Sequence, residues 1–175
     1  SVGSAASCAR RRLIRDVRLP SRPVKPNPNQ PQENMERQGW PALVRCISER
    51  DAALVPTLIA GGEDPNGSYA GLSLVALAAY DGSPDALAAL IAGGAHVPAD
   101  ALSILGEMDM TDWKIGSAEE ELAYARVAEI LLAHGASPQV LACDGQPLIS
   151  TFPANYYPNL HRILSDALSA IDRNA

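Results

Sequence analysis

The stretch that decides the fold is Gly71-Leu72-Ser73-Leu74-Val75-Ala76-Leu77-Ala78-Ala79-Tyr80-Asp81-Gly82. Within it Val75, Ala78 and Ala79 make a narrow apolar helix face, and the two alanines allow a neighbouring element to approach closely. The pattern continues without a gap to Leu87, Leu90 and Ile91, which recur at i, i+3 and i+4 and mark a second amphipathic helix. One such helix pair cannot bury its apolar face alone, so stability has to come from stacked neighbours.

Neighbours of the same kind are present. Leu58-Ile59-Ala60-Gly61-Gly62, Leu90-Ile91-Ala92-Gly93-Gly94 and Leu131-Leu132-Ala133-His134-Gly135 each read as the apolar end of a helix. In each, a glycine stands where a left-handed C-cap is needed. The last glycines are 32 and then 41 residues apart, and residues 107–117 supply the extra length. Gly39-Trp40-Pro41-Ala42-Leu43 leads to Gly62 over 23 residues, as Gly71 leads to Gly94. Ala136-Ser137-Pro138 and Asp144-Gly145-Gln146-Pro147-Leu148 supply a further loop and a fourth start. Leu122, Val127, Ile130 and Leu131 make a less regular stripe, and Leu160, Ile163, Leu164, Leu168 and Ile171 a regular one. The last reads as a capping helix.

The second copy resembles the ankyrin-repeat pattern G-x-T-P-L-H-x-A-A-x-x-G: both glycines, the hydroxyl at Ser73 and the Ala78-Ala79 pair are kept. Leu74 replaces the family's proline and Ala76 its histidine, so the usual helix start and the loop-bracing hydrogen bond are expected to be lost. The resemblance covers roughly residues 36–172 and is close in one repeat only. It implies an all-α, ankyrin-like helical solenoid of about four helix-turn-helix repeats, with hairpin-type loops and a C-terminal capping helix. The repeats fall near 39–66, 67–98, 99–139 and 140–173, with an insertion at 107–117. Tetratricopeptide and HEAT arrays lack the glycine-ended second helix and its restart.

Composition and charge agree with this reading. Hydrophobic residues are 47% of the 175, charged residues 19% and aromatic residues 5%, a skew towards alanine-rich helical packing over a β-sandwich. No apolar run reaches the roughly 18 residues a membrane-spanning helix needs. Residues 1–34 carry seven basic side chains (Arg10, Arg11, Arg12, Arg15, Arg18, Arg22, Lys25) against Asp16 and Glu33, a net of +5. The overall −6 therefore leaves −11 on residues 35–175, which repels phosphate backbones, and no nucleic acid is expected as partner. Pro20, Pro23, Pro26, Pro28 and Pro31 predict an extended polyproline spacer, so residues 1–34 read as a leader and 35–175 as the folded domain.

Compartment stays open. Ala5-Ala6-Ser7-Cys8 resembles the small-residue motif before a lipidated cysteine, although the expected leucine is missing. An Arg-rich transit peptide and a leader with no address are the other readings. Cys8, Cys46 and Cys143 are too scattered for a disulfide framework, and Cys46 falls in an apolar helical pattern as a core residue.

Enzyme chemistry finds no foothold. His96, His134 and His161 lack metal-ligand spacing to one another or to cysteine and carboxylate, and no P-loop or G-x-S-x-G occurs. Glu119-Glu120-Glu121 reads as the charged first turn of a helix. No catalytic residue, cofactor or metal is expected. What remains is a surface, and the resemblance places protein binding on loop tips and inner-helix edges: Tyr69, Ala70, Leu72, Tyr80 and Asp81 in the second repeat, Asp144 and Asn155 in the fourth. Tyr80 has a second reading, as cover for its neighbour's flank. The insertion adds Asp109, Met110, Asp112 and Trp113, acidic steering with apolar anchors, unless Trp113 folds back to plug a gap. The expected partner is another protein, with the chain monomeric or in a hetero-complex. Arg-rich, Lys-poor usage (12 Arg, 2 Lys) suggests a GC-rich bacterial genome. For a small bacterial member the resemblance implies an inhibitor of one dedicated partner, such as an immunity protein against a lipase-type toxin. A secreted effector or adaptor, or an interaction domain of a larger chain, is the alternative.

Overall fold

The computed structural model describes residues 40–107, 117–142 and 144–173. The leader, Cys143 and the insertion residues Asp109, Met110, Asp112 and Trp113 lie outside the described residues. The chain is mostly helical with one minor two-stranded ribbon. In order come α1 (Ala42–Ser48), a 3-10 turn η1 (Ala52–Leu54) leading into α2 (Val55–Ala60), β1 (Ser68–Tyr69), β2 (Leu72–Ser73), α3 (Leu74–Tyr80) and α4 (Pro84–Ala92). Then follow η2 (Ala101–Glu107), α5 (Ala118–Ala133), α6 (Leu148–Thr151) and α7 (Pro158–Asp172).

These elements pack as pairs: α1 with α2, α3 with α4, η2 with α5, α6 with α7. The first members touch in succession (α1–α3–η2–α6), and so do the second members (α2–α4–α5–α7). The core runs through all four pairs. Leu43 and Ile47, then Leu77 and Leu87, then Leu102 and Leu131, then Leu148, Phe152 and Leu160 are each almost fully removed from water. Ala78 and Ala79 are completely buried, as their small size and the α1–α3–η2 contacts require.

The turns repeat as well. At the ends of α2, α4 and α5, Gly62, Gly94 and Gly135 take φ of 104°, 96° and 92°. Each donates to the carbonyl three residues back, and the residue after it to the carbonyl five back (Glu63 to Leu58, Ala95 to Leu90, Ala136 to Leu131). Paired bonds of this kind satisfy the orphan carbonyls of a helix end, and they require a left-handed residue. The turns after α1 and α3 share a second such cap. Arg50 and Asp51 donate to Ile47 and Cys46, just as Gly82 and Ser83 donate to Ala79 and Ala78. The left-handed residue is Gly82 (φ 62°) in one and Arg50 (φ 57°) in the other, so the sequence hides the equivalence.

Three expectations need correction and a fourth needs an addition. Leu74 in place of proline does not cost α3 its start, because Ser73 is extended and its Oγ accepts from Ala76 N at 3.1 Å as a side-chain cap. Leu122 is half exposed, and α5 buries Tyr124, Ala125, Val127, Ala128 and Leu131 instead. The first member of the third pair is a 3-10 helix, so the apolar residues Ala101, Leu102, Ile104 and Leu105 are buried on a tighter spiral. Glu121 does fall in the acidic first turn of α5, but it is 4% exposed, and its Oε1 accepts from Asn159 N (2.8 Å) and Leu160 N (2.9 Å). Its Oε2 accepts from Asn159 Nδ2 at 2.7 Å. A carboxylate on α5 thus caps α7, whose own sequence offers no side-chain cap.

Candidate functional site

The ribbon between α2 and α3 forms because Ala70 (φ 53°) and Gly71 (φ 81°) both take left-handed backbone, the geometry of a two-residue hairpin turn matched to strand twist. Its register pairs Ser68 with Ser73 and Tyr69 with Leu72. Directly opposed residues share a face, so Tyr69 and Leu72 both turn inwards. Leu72 is 5% exposed, which removes it from the binding surface expected of it. Tyr69 is half-buried and packs on Trp40, with ring centroids 5.6 Å apart at 48°. Ala70 is half-buried at the tip.

Beside the ribbon, Asp64 Oδ1 accepts from Asn66 N (2.9 Å) and closes the turn. Asn66 then reaches the next loop: its Nδ2 donates to Gly94 O (3.2 Å) and its Oδ1 accepts from His96 N (2.7 Å). This asparagine supplies the loop bracing whose loss Ala76 implied. One loop further on, Ser137 N donates to Ala99 O at 2.7 Å. Between the first two loops lies an open cleft of about 170 Å³ lined by Pro65, Asn66, Ser73, Val75, His96 and Pro98. Small-molecule sites usually enclose about 300–1,000 Å³. A notch this size fits one side chain.

Tyr80 and Asp81 sit at the other end of α3, about 10 Å from the ribbon at 1.5 Å per residue. The structure therefore divides the expected patch. Both residues are half-buried, and their backbones are engaged: Tyr124 Oη donates to Tyr80 O (3.2 Å) and Arg50 Nη2 to Asp81 O (2.9 Å). Arg50 Nε also stands 3.9 Å from Asp81 Oδ2. In the fourth pair Asp144 is exposed and closes an Asx turn by accepting from Gln146 N (2.9 Å), while Asn155 is exposed in the α6–α7 turn.

Sequence reasoning passed over Trp40, Arg50, Asn66, Leu141 and Tyr156. The last two are 56% and 71% exposed, unusual for large apolar side chains. Tyr156 stands in a Pro153-to-Pro158 turn with an adjacent tyrosine, a composition that signals an exposed aromatic; Arg50 gave no sign of its left-handed role.

Two histidines are engaged with backbone carbonyls. His134 Nδ1 donates to Ile130 O and His161 Nδ1 to Phe152 O, each at 2.8 Å. Burial, with Asp51 and Glu49 nearby, pushes the Cys46 thiol above its ordinary value, and burial does the same to the Tyr157 hydroxyl. Among the described residues, no three His, Cys, Asp or Glu side chains are grouped to hold a metal, and no helix is long and apolar enough to cross a membrane. Compared with known proteins, the chain matches no family model, no curated protein and no solved structure.

Proposed function

We propose that this chain is a non-catalytic protein-binding module, built as an ankyrin-like solenoid of four helix pairs, that binds and inhibits one dedicated partner. One observation carries the reading: equivalent left-handed caps 32 residues apart, at Arg50 and Gly82 and again at Gly62 and Gly94, with Asn66 tying consecutive loops. Such an array presents an edge, and recognition then falls to side chains on that edge. The contact surface is the ribbon tip with Tyr69 and Ala70 beside Trp40, the notch next to it, and Asp144 on the third loop. Rigid aromatic side chains suit this role because they offer area at low entropic cost.

The specific form we favour is an immunity protein that neutralises a bacterial toxin enzyme, a lipase included. The short array with one bespoke insertion suits a single target. A secreted effector or adaptor is the second reading, favoured by the basic, proline-rich residues 10–31. The test is affinity capture from the producing cells with the full chain as bait. One stoichiometric protein is expected, lost on Tyr69→Ala while far-UV circular dichroism is unchanged. Capture of nothing stoichiometric, or capture indifferent to Tyr69, refutes the reading.

A further inference from the structure

Of the chain's seven asparagines, one is followed by glycine: Asn66-Gly67. The others precede Pro28, Gln30, Met35, Tyr156, Leu160 and Ala175. The difference is chemical. A backbone nitrogen can attack the side-chain amide carbon of the asparagine before it, and glycine, with no Cβ, leaves that approach open. The turn itself favours glycine here, since a Cβ on Gly67 would stand 3.1 Å from Asp64 O and 3.6 Å from Leu74 Cδ1. Asn66 is also exposed to water and lines the open notch.

In the folded chain both reacting groups are held. Asn66 Nδ2 donates to Gly94 O (3.2 Å), and its Oδ1 accepts from His96 N (2.7 Å). Gly67 N donates to Asp64 O (3.0 Å), and Gly67 O accepts from Leu74 N (3.1 Å). We propose that Asn66-Gly67 is a self-modification site, a deamidation switch that reacts when the loop tie opens and whose product cannot remake the tie. In the opened loop Gly67 N bonds to Asn66 Cγ, the Cγ–Nδ2 bond breaks, and the Gly67 proton leaves with the amide as ammonia. Water then adds to either carbonyl of the cyclic imide and leaves aspartate or β-linked isoaspartate at position 66. An oxygen now stands where Nδ2 stood. With its other oxygen on His96 N it would face Gly94 O, acceptor against acceptor, so the two loops lose their brace and the notch gains a negative charge. The change runs one way. The inference is independent of the protein-binding reading, since it is measured in the isolated chain.

The test incubates the full chain at mildly alkaline pH, in buffer and in guanidinium chloride, and follows each asparagine by peptide mass spectrometry and enzymatic isoaspartate labelling. In denaturant, Asn66 is expected to convert about tenfold faster than any of the other six asparagines, and Gly67→Ala to remove most of that lead. In buffer, Asn66 is expected to convert about 10–100-fold more slowly than in denaturant, since only the opened loop reacts. Asp64→Ala takes away the acceptor for Asn66 N and leaves the reacting pair intact. It is expected to speed conversion in buffer about fivefold and to leave the rate in denaturant unchanged. Converted chain, separated by its added charge, is expected to exchange the His96 amide about fivefold faster than unconverted chain. The proposal is overturned if Asn66 has no lead in denaturant, or if the buffer and denaturant rates agree. It is equally overturned if the buffer rate lies more than about a thousandfold below the other, or if conversion leaves the His96 amide protected. Should Asp64→Ala fail to fold, the wild-type rates and the His96 amide decide.

Discussion

Replacing Glu121 by alanine removes the acceptor for three donors at the start of α7: Asn159 N, Leu160 N and Asn159 Nδ2, at 2.8, 2.9 and 2.7 Å. Hydrogen bonds to a charged group contribute about 1.5–3 kcal/mol each, but they are not additive, and half-buried Asn159 can turn to water. Leu160 is fully buried, so its amide stays unsatisfied and costs about 1–3 kcal/mol by itself. A loss of about 3–4 kcal/mol follows, a large part of the roughly 5–15 kcal/mol typical of a domain. Glu121→Gln is expected to lose only about 1 kcal/mol. Its carbonyl can keep both backbone donors while Asn159 reverses its amide to accept from the new NH2 group. Urea unfolding at pH 7, followed by far-UV circular dichroism, reads both midpoints. Equal losses for the two variants, or under about 1 kcal/mol for alanine, would refute the idea that this carboxylate holds α7 in place.

Other substitutions test other joints. Gly82→Ala is expected to cost about 2–4 kcal/mol, because φ is 62° and a Cβ there would stand 2.8 Å from the Tyr124 ring. Arg50→Gly, at the equivalent cap, should fall within about 1 kcal/mol of the wild type, since relief of left-handed strain offsets the lost contact with Asp81; both are read by thermal unfolding. Asn66→Ala should cost about 1 kcal/mol and speed hydrogen exchange at the His96 amide, which donates to Asn66 Oδ1. For Cys46 the folded thiol titrates above the unfolded value near 9.0, so above that pH the unfolded chain holds fewer protons and stability falls. Cys46→Ala should remove part of that alkaline loss without changing the slope between pH 6 and 8, as measured by denaturant midpoints across pH.

How far the sequence could be read depended on the range of the forces involved. Helix faces and their glycine ends are local: Val75, Ala78 and Ala79, and the Leu-Ile-Ala-Gly-Gly runs, declare period and cap within a few residues. From them came the helical class and the pair as unit, whereas the placement of Tyr69 and Ala70 on a loop came from the ankyrin resemblance. Burial decided by partners distant in the chain could not be read that way. Leu72 turned inwards because the ribbon's register gives it Tyr69's face, and Leu122 turned outwards because α5 buries the face that carries Tyr124, Ala125, Val127 and Ala128. Glu121 read as one of three first-turn charges, and only α7, 38 residues away, brings three donors against it. Arg50 concealed a cap because its conformation is imposed by the α1 turn and its contact with Asp81, and composition records neither. Sequence by itself therefore determined which segments coil and where they stop, since those preferences act over one or two turns. Only the tertiary structure decided which polar groups serve as internal fastenings and which are left for a partner, because that depends on donors and acceptors supplied by remote parts of the chain.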